Sequence, residues 1–324
     1  MEENKRHLLS VDLLRGIAAF GIVGCHLALS PITDGGWAVR ALCDMNVGLF
    51  GALSGFLMWE RKAIGGTWKD YVLRRCRRLL PIYFTWTVVF LLSGLFFDMI
   101  IRHGFNPKLM RVSFWPSAIF LGGTSTHLWF LVCLLYAQII FKPLSGKMPG
   151  WCWFILGMGL VCVAAYNMDN WTCGYLVRLL AFLVTGYGLK DIHEKWNIRY
   201  GRLPLVAISL LAVSLTVMAH YMFTSTIPGF IRDWLVAISI LMLFIHIGVP
   251  MRLRRPCEFI GKTSLPVFLV HPLVAVVTGI IIRKIFSAPF GPAAVAVDWV
   301  ACWLISFLIA IVLIRLPFTR WCVQ

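Results

Sequence analysis

Long apolar stretches limit what this chain can fold into. Ten of them approach the roughly 20 residues that a helix needs to cross about 30 Å of hydrocarbon. In lipid, backbone polar groups must be satisfied within the segment, so such stretches fold as helices. The connecting segments are short, which predicts one domain over residues 1–324: an all-α integral membrane protein, a single bundle of about ten transmembrane helices. The predicted spans are 8–29, 44–60, 79–101, 127–145, 151–167, 174–190, 203–222, 231–250, 265–285 and 295–316.

Composition supports a membrane protein with little soluble mass. Hydrophobic residues make up 60% of the 324 residues and charged residues 14%, whereas about a quarter of a soluble domain is charged. The net charge is +16, and most of the basic residues lie between the apolar runs. Such flanking charge is typical of residues that orient a protein in the membrane, so we expect membrane lipids and no nucleic acid as partners. The ten cysteines form no C-x-x-C pair. We interpret them as small buried apolar residues and predict no metal site.

The distribution of basic residues predicts the orientation. With the N-terminus inside, 21 of the 30 Lys and Arg residues fall in inner segments and 6 in outer segments. This bias predicts that both termini are cytoplasmic and that the protein is a multi-pass protein of the cell (plasma or inner) membrane. The first run carries Asp12 and Arg15 and is too long for a cleavable signal peptide.

Arg15 and His26 lie inside the first apolar run. Ionisable groups at such positions are costly and commonly functional. Eleven residues bring the two side chains back to nearly one helix face, about 16 Å apart along the axis. Asp12 lies one turn before Arg15, where it can neutralise the arginine. The predicted topology puts Arg15 toward the cytoplasm and His26 toward the outside. The alternative is a pair of interhelical hydrogen-bonding residues without chemistry.

A basic cluster precedes the third run, in the segment Leu73-Arg-Arg-Cys-Arg-Arg-Leu-Leu-Pro81. Arg75 and Arg78 fall one turn apart on one helix face. Guanidinium groups bind phosphate bidentately and stay charged, so the cluster can hold a multiply phosphorylated cytosolic ligand. The alternative is an anchor on anionic lipid headgroups.

Other polar and small residues are less informative one by one. His127 opens the fourth run and His271 lies in the ninth, and single histidines in a bundle are commonly interhelical hydrogen-bonding residues. His246, near the end of a span, is predicted to be interfacial. A stripe of small residues on the second run favours close helix packing, with a slender ligand chain as the alternative; it comprises Gly48, Gly51, Ala52 and Gly55.

In this order the motifs resemble membrane acyltransferase family 3, the multi-span O-acyltransferases that modify cell-surface glycans. The resemblance covers essentially the whole chain. In its last motif, Leu265 and Phe268 stand where tyrosines are usual, which removes a hydroxyl role there. The matching elements are Arg15-x10-His26 with Asp12 and Gly16, Ser54-Gly55-Phe56, Arg75-x-x-Arg78-x-x-Pro81, and Thr263-Ser264 through His271.

This resemblance implies a membrane O-acyltransferase. The acyl group, commonly acetyl, would pass from cytosolic acyl-CoA to a hydroxyl of a cell-surface glycan or a lipid-linked sugar precursor. The donor, acetyl-CoA or another acyl-CoA, is then a substrate, and no permanently bound cofactor is expected. The implied catalytic residues are His26, Arg15 and Asp12; those binding the CoA phosphates are Arg75 and Arg78 with Arg74 and Arg77 in support; and possible supporting residues are His127, His271 and Ser54.

The alternative is a transporter or flippase with Arg15 and His26 on its permeation route. Against it, no pair of broken helices occurs in corresponding halves of the sequence. The arginine cluster would also have no role beyond orientation. The sequence does not specify the acceptor, the acyl chain or the oligomeric state. The outer loop at 102–126 is expected to shape acceptor choice.

Overall fold

The fold is helical throughout the part of the chain that the computed structural model describes. That part comprises residues 2–27, 36–60, 67–101, 114–120, 127–166, 171–200, 203–222, 229–247, 249–286 and 292–323, and it contains no strand. Its α-helices are α1 (Glu2–Cys25), α2 (Gly36–Glu60), α3 (Trp68–Ile101), α4 (Phe114–Phe120), α5 (Trp129–Phe141), α6 (Gly150–Tyr166), α7 (Trp171–Tyr200), α8 (Leu203–Met222), α9 (Gly229–Ile247), α10 (Arg254–Ile285) and α11 (Pro292–Arg315).

Each predicted run coincides with one helix, and the short α4 is an addition that the sequence analysis missed. The predicted start of the third span at residue 79 does not match the helix, because α3 already begins at Trp68. A capping box explains the earlier start: Thr67 N donates to Asp70 Oδ2 (2.9 Å) and Asp70 N donates to Thr67 Oγ1 (3.2 Å). The basic cluster therefore lies on α3 itself, and Pro81 lies inside the helix.

Several helices have the length and apolar character of membrane spans. Within the described residues, four stretches are long and apolar enough to cross a membrane: Trp68–Met99, Gly229–His246, Met251–Ile285 and Ala293–Arg315. Four shorter apolar helical stretches accompany them: Met45–Trp59, Trp129–Phe141, Gly150–Ala165 and Pro204–Leu215. Ten crossings and cytoplasmic termini stay predictions.

Small residues bring α2 against α7. A Cβ at Gly55 would lie 1.9 Å from the carbonyl oxygen of Leu183, and one at Gly48 would lie 2.2 Å from the ring of Phe182. Because the obstacle at Gly55 is backbone and cannot move aside, only glycine fits there, and the prediction of close helix packing for this stripe is confirmed. α2 is thereby held as a fixed wall facing the interior of the bundle.

The largest apolar core lies among α1, α3, α5 and α10. α1 packs closely on α10, where a Cβ at Gly16 would lie 1.9 Å from the Ile260 side chain. α3 is tied to α5 because Trp68 Nε1 donates to the carbonyl oxygen of Ile139 (3.1 Å). These four helices, with α2, position the residues described next.

Candidate functional site

Three of the predicted arginines converge on one cavity, here called the arginine cavity. It is partly open to solvent, and its wall is mostly apolar with a few polar and charged groups, the composition that is typical of small-molecule sites. Its walls come from α1, α2, α3, α5 and α10, so residues far apart in sequence meet there. It is lined by Arg15, Phe50, Leu53, Ser54, Leu57, Arg75, Arg78, Leu79, Phe130, Leu131, Leu134, Gln138, Leu265 and Phe268.

Two arginines of the cavity are held by neighbouring side chains. Arg15 pairs with Asp12 (3.4 Å), so the predicted ion pair is confirmed. Asp12 in turn packs against α10, since a Cβ at Gly261 would lie 2.5 Å from its Oδ1. Arg75 Nε donates to the Tyr71 hydroxyl (3.3 Å), and its guanidinium lies 5.3 Å from the centre of that ring. These contacts fix the guanidinium groups at the cavity wall before any ligand binds.

The other two predicted arginines take a different position. Arg74 and Arg77 are exposed on α3 and do not line the cavity. Arg75 and Arg78 do line it, as expected from their one-turn spacing on one helix face. The motif therefore comprises an inward-facing pair at the cavity, of which Arg78 is also exposed to solvent, and a solvent-facing pair that does not reach it.

The Ser54-Gly55-Phe56 element gives each residue a separate role. Ser54 lines the arginine cavity, and its hydroxyl donates to the carbonyl oxygen of Phe50 (2.8 Å). Gly55 makes the close contact with α7, and the Phe56 side chain is fully buried. The element thus places one hydroxyl oxygen at the cavity and anchors its helix from the opposite side.

Three histidines meet outside the arginine cavity, and we call them the histidine cluster. The ring centres of His26 and His271 are 5.2 Å apart, those of His127 and His271 5.6 Å, and those of His26 and His127 6.2 Å. His26 follows the last residue of α1, and its N–H donates to the carbonyl oxygen of Val23 (3.2 Å). None of the three lines the arginine cavity. In the described part of the chain, no group of three or more His, Cys, Asp or Glu residues has the arrangement of a metal site.

His271 has a defined tautomer. Its ring is fully buried, and Nδ1 lies 2.7 Å from the carbonyl oxygen of Phe268. Because a carbonyl only accepts, Nδ1 carries the hydrogen, and Nε2 keeps its lone pair in the neutral ring. Nε2 is buried without a hydrogen-bond partner among the described residues. The cluster therefore contains a buried nitrogen that can accept a proton or a hydrogen bond.

Two phenylalanines stand between the arginine cavity and the histidine cluster. Phe130 and Phe268 both line the cavity, with ring centres 5.5 Å apart. On its other side, the Phe268 ring lies 5.4 Å from His127 and 5.9 Å from His271. A ligand in the cavity is therefore one aromatic ring away from the histidines.

The sequence analysis missed some of these features. Gln138 lines the arginine cavity and is 3% exposed; its signal was an amide in an otherwise apolar stretch. His246, which is predicted to be interfacial, is buried, and its Nε2 lies 2.8 Å from Nδ1 of the buried His193, a contact that the sequence analysis did not predict. That pair packs between α7 and α9, a contact that helical periodicity does not specify.

Comparison with known proteins identifies the family. A family model described as an acyltransferase domain matches residues 8–315. No curated protein and no solved structure gave a significant match. The matched region includes the arginine cavity and the histidine cluster. This match shows that the chain belongs to acyltransferase family 3, and together with its apolar helices it identifies a membrane acyltransferase.

Proposed function

We propose that the protein transfers an acyl group, commonly acetyl, from cytosolic acyl-CoA to a hydroxyl of a cell-surface glycan or lipid-linked sugar precursor. The observation that carries the proposal is the convergence of Arg15, Arg75 and Arg78 on one cavity whose far wall touches the histidine cluster. Cations at one end and imidazoles beyond the other suit a ligand with phosphates at one end and a reactive carbonyl at the other.

The arginine pair on α3 is suited to the phosphates of CoA. Arg75 and Arg78 both face the cavity, and guanidinium groups form strong charge-assisted hydrogen bonds with phosphate oxygens. The Tyr71 contact limits the freedom of Arg75, so less side-chain entropy is lost on binding. We propose that this end of the cavity faces the cytoplasm, in agreement with the distribution of basic residues along the chain.

The histidine cluster is suited to the transfer step. A His26 nitrogen removes the proton of the acceptor hydroxyl as its oxygen attacks the thioester carbonyl carbon. The carbon–sulfur bond then breaks, and the proton passes to the CoA thiolate, so the products are an ester and free CoA. His271, held through its Nδ1–H on the Phe268 carbonyl, positions the ring of His26 beside it. Of the two candidate donors for the oxyanion, Arg15 and His127, we propose His127, because it lies in the same cluster as His26 whereas Arg15 is about 16 Å away along α1.

The direct experiment uses purified protein in lipid vesicles. It receives acetyl-CoA labelled in the acetyl group, together with surface glycan from cells that lack the protein. We expect label in the glycan, or on the protein, with the wild-type chain and none with His26→Ala. Longer acyl-CoAs tested in parallel define the acyl chain.

The same experiment separates the enzyme from a transporter. A transporter would leave the label in acetyl-CoA, with no covalent product from the wild-type chain. That result would overturn the proposal. Mass spectrometry of surface glycans from cells with and without the protein then identifies the acceptor.

A further inference from the structure

The arginine cavity contains a buried polar atom that nothing in the described structure satisfies. Gln138 is 3% exposed, and its Oε1 is buried without a hydrogen-bond partner in the described part of the chain. Leaving such an atom unpaired costs about 1–3 kcal/mol. Buried polar side chains are nearly always paired, so an unpaired one in the wall of a cavity points to a group on a ligand.

The position of Gln138 indicates which part of a ligand it meets. It lies nine residues after the first residue of α5, about 14 Å along that helix axis. His127 lies two residues before the first residue of α5, so Gln138 is distant from the histidine cluster, and it shares the cavity with Arg15, Arg75 and Arg78. The group it meets therefore lies in the arginine cavity and away from the histidines.

The surroundings favour an uncharged ligand group. Leu134 lies one turn before Gln138 on the same helix, and the cavity wall also includes Leu57, Leu131 and Leu265. An amide in an apolar wall selects a neutral group that both donates and accepts hydrogen bonds. In acyl-CoA, the pantetheine arm between the phosphates and the sulfur has this chemistry, because it carries two secondary amides on a slender aliphatic chain.

We infer that Gln138 binds an amide of the donor's pantetheine arm, with Oε1 accepting the amide N–H and the side-chain NH₂ facing the amide carbonyl. This assignment rests on the proposed function. Gln138 is then a specificity-determining residue: it distinguishes acyl-CoA from ligands that present only phosphates and adenine. The arginines hold one end of the donor, and Gln138 sets the path of the arm toward Phe268.

The test measures the binding of two probes, CoA and adenosine 3′,5′-bisphosphate. The bisphosphate keeps the adenine and the phosphates on the ribose but lacks the pantetheine arm. Gln138→Leu removes the amide at similar volume. We expect Kd for CoA to rise about three- to tenfold, the range for one neutral hydrogen bond, and Kd for the bisphosphate to stay unchanged. Arg75→Ala with Arg78→Ala is the matched comparison and weakens both ligands.

A stability measurement excludes a structural role. Replacing an unsatisfied buried polar group with an apolar one of similar shape is neutral or stabilising. The ligand-free Gln138→Leu variant should therefore have an unchanged or higher Tm, although it binds CoA more weakly. A lower Tm, or equal loss of affinity for both probes, would overturn the assignment.

The wild-type chain supplies a test that needs no variant. A CoA analogue with an ester in place of the amide nearest the sulfur, and a second with an ester at the other amide, each lose one N–H. We expect one of them to bind about three- to tenfold more weakly than CoA. If both analogues bind as tightly as CoA, the amide contact is rejected and the proposed acyl transfer is unaffected. If CoA itself does not bind, the proposed function is overturned.

Discussion

The arginine cavity and the histidine cluster face each other across Phe130 and Phe268, and they are built differently. The cavity has open volume and a wall of cations held by Asp12 and Tyr71. The cluster has rings packed within about 5–6 Å of one another and a fully buried His271. A region with space and fixed charges is suited to binding. A packed cluster of imidazoles, in which His127 and His271 are buried and His26 is partly exposed, is suited to proton transfer from an acceptor that reaches His26. The difference assigns affinity to one region and rate to the other.

The largest effect is expected from a substitution in the histidine cluster alone. His26→Ala should lower the transfer rate about 10²- to 10⁴-fold, the usual contribution of a general base. Kd for acyl-CoA should stay within about twofold, because the imidazole does not line the arginine cavity. Single-turnover kinetics and calorimetric titration of the same preparation measure both quantities. A variant that transfers at the wild-type rate would remove the proposed role of His26.

The second largest effect is expected from substitutions in the arginine cavity. Arg75→Ala with Arg78→Ala should raise Kd for acyl-CoA roughly 10- to 100-fold, since each charge-assisted hydrogen bond contributes about 1.5–3 kcal/mol before screening. The rate at saturating donor should be largely retained. An unchanged Kd would instead favour the lipid-anchor interpretation of these arginines.

A smaller effect tests the wall between the two regions. Phe268→Leu replaces the aromatic ring between the cavity and His127 with a smaller side chain, so water should reach a bound thioester more easily. We expect donor hydrolysis without acceptor to rise a few-fold and stability to fall by less than about 2 kcal/mol. Release of free CoA thiol measures the hydrolysis.

The matched control for that variant is Phe90→Leu. The Phe90 ring lies 4.6 Å from the His127 ring but does not line the cavity. Hydrolysis should stay at the wild-type level there. An equal rise in both variants would mean that Phe268 does not separate the two regions.

The smallest effect is expected for the solvent-facing arginines. Arg74→Ala with Arg77→Ala removes the same charge from the same helix as the inward-facing pair, but from outside the cavity. Exposed charges contribute little, so Kd for acyl-CoA should change by about twofold or less. A loss equal to that of Arg75→Ala with Arg78→Ala would show that net charge, and not position, binds the donor.

The sequence predicted the residues that repeat along a helix and the ion pairs within one turn. Helical spacing was sufficient to find the Arg15–Asp12 pair and to place Arg75 with Arg78, because each depends on one helix alone. The ten apolar runs could be predicted as helices from their length and composition, since lipid leaves an isolated segment few alternatives to a helix. The early start of α3 was missed, although the Thr67-x-x-Asp70 capping box is a local signal that could have indicated it.

Features that depend on packing between helices could not be predicted in this way. The histidine cluster joins residues at the end of α1, just before α5 and within α10, and no spacing within one run brings His26, His127 and His271 together. The cavity position of Gln138 and the wall formed by Phe130 and Phe268 have the same origin. Leu265 and Phe268 could be named as departures from the family pattern, but only packing shows that both are apolar walls of the cavity.

The central claim is that the donor binds in the arginine cavity and reacts at the histidine cluster. Its most direct test is an experimental structure of the protein with a non-hydrolysable acetyl-CoA analogue in which a methylene replaces the thioester sulfur. The account predicts phosphates in contact with Arg75 and Arg78, and an acetyl carbonyl that passes Phe268 to come within hydrogen-bond reach of the histidine cluster. Phosphates bound elsewhere, or an acetyl group on the far side of the bundle from His26, would contradict it.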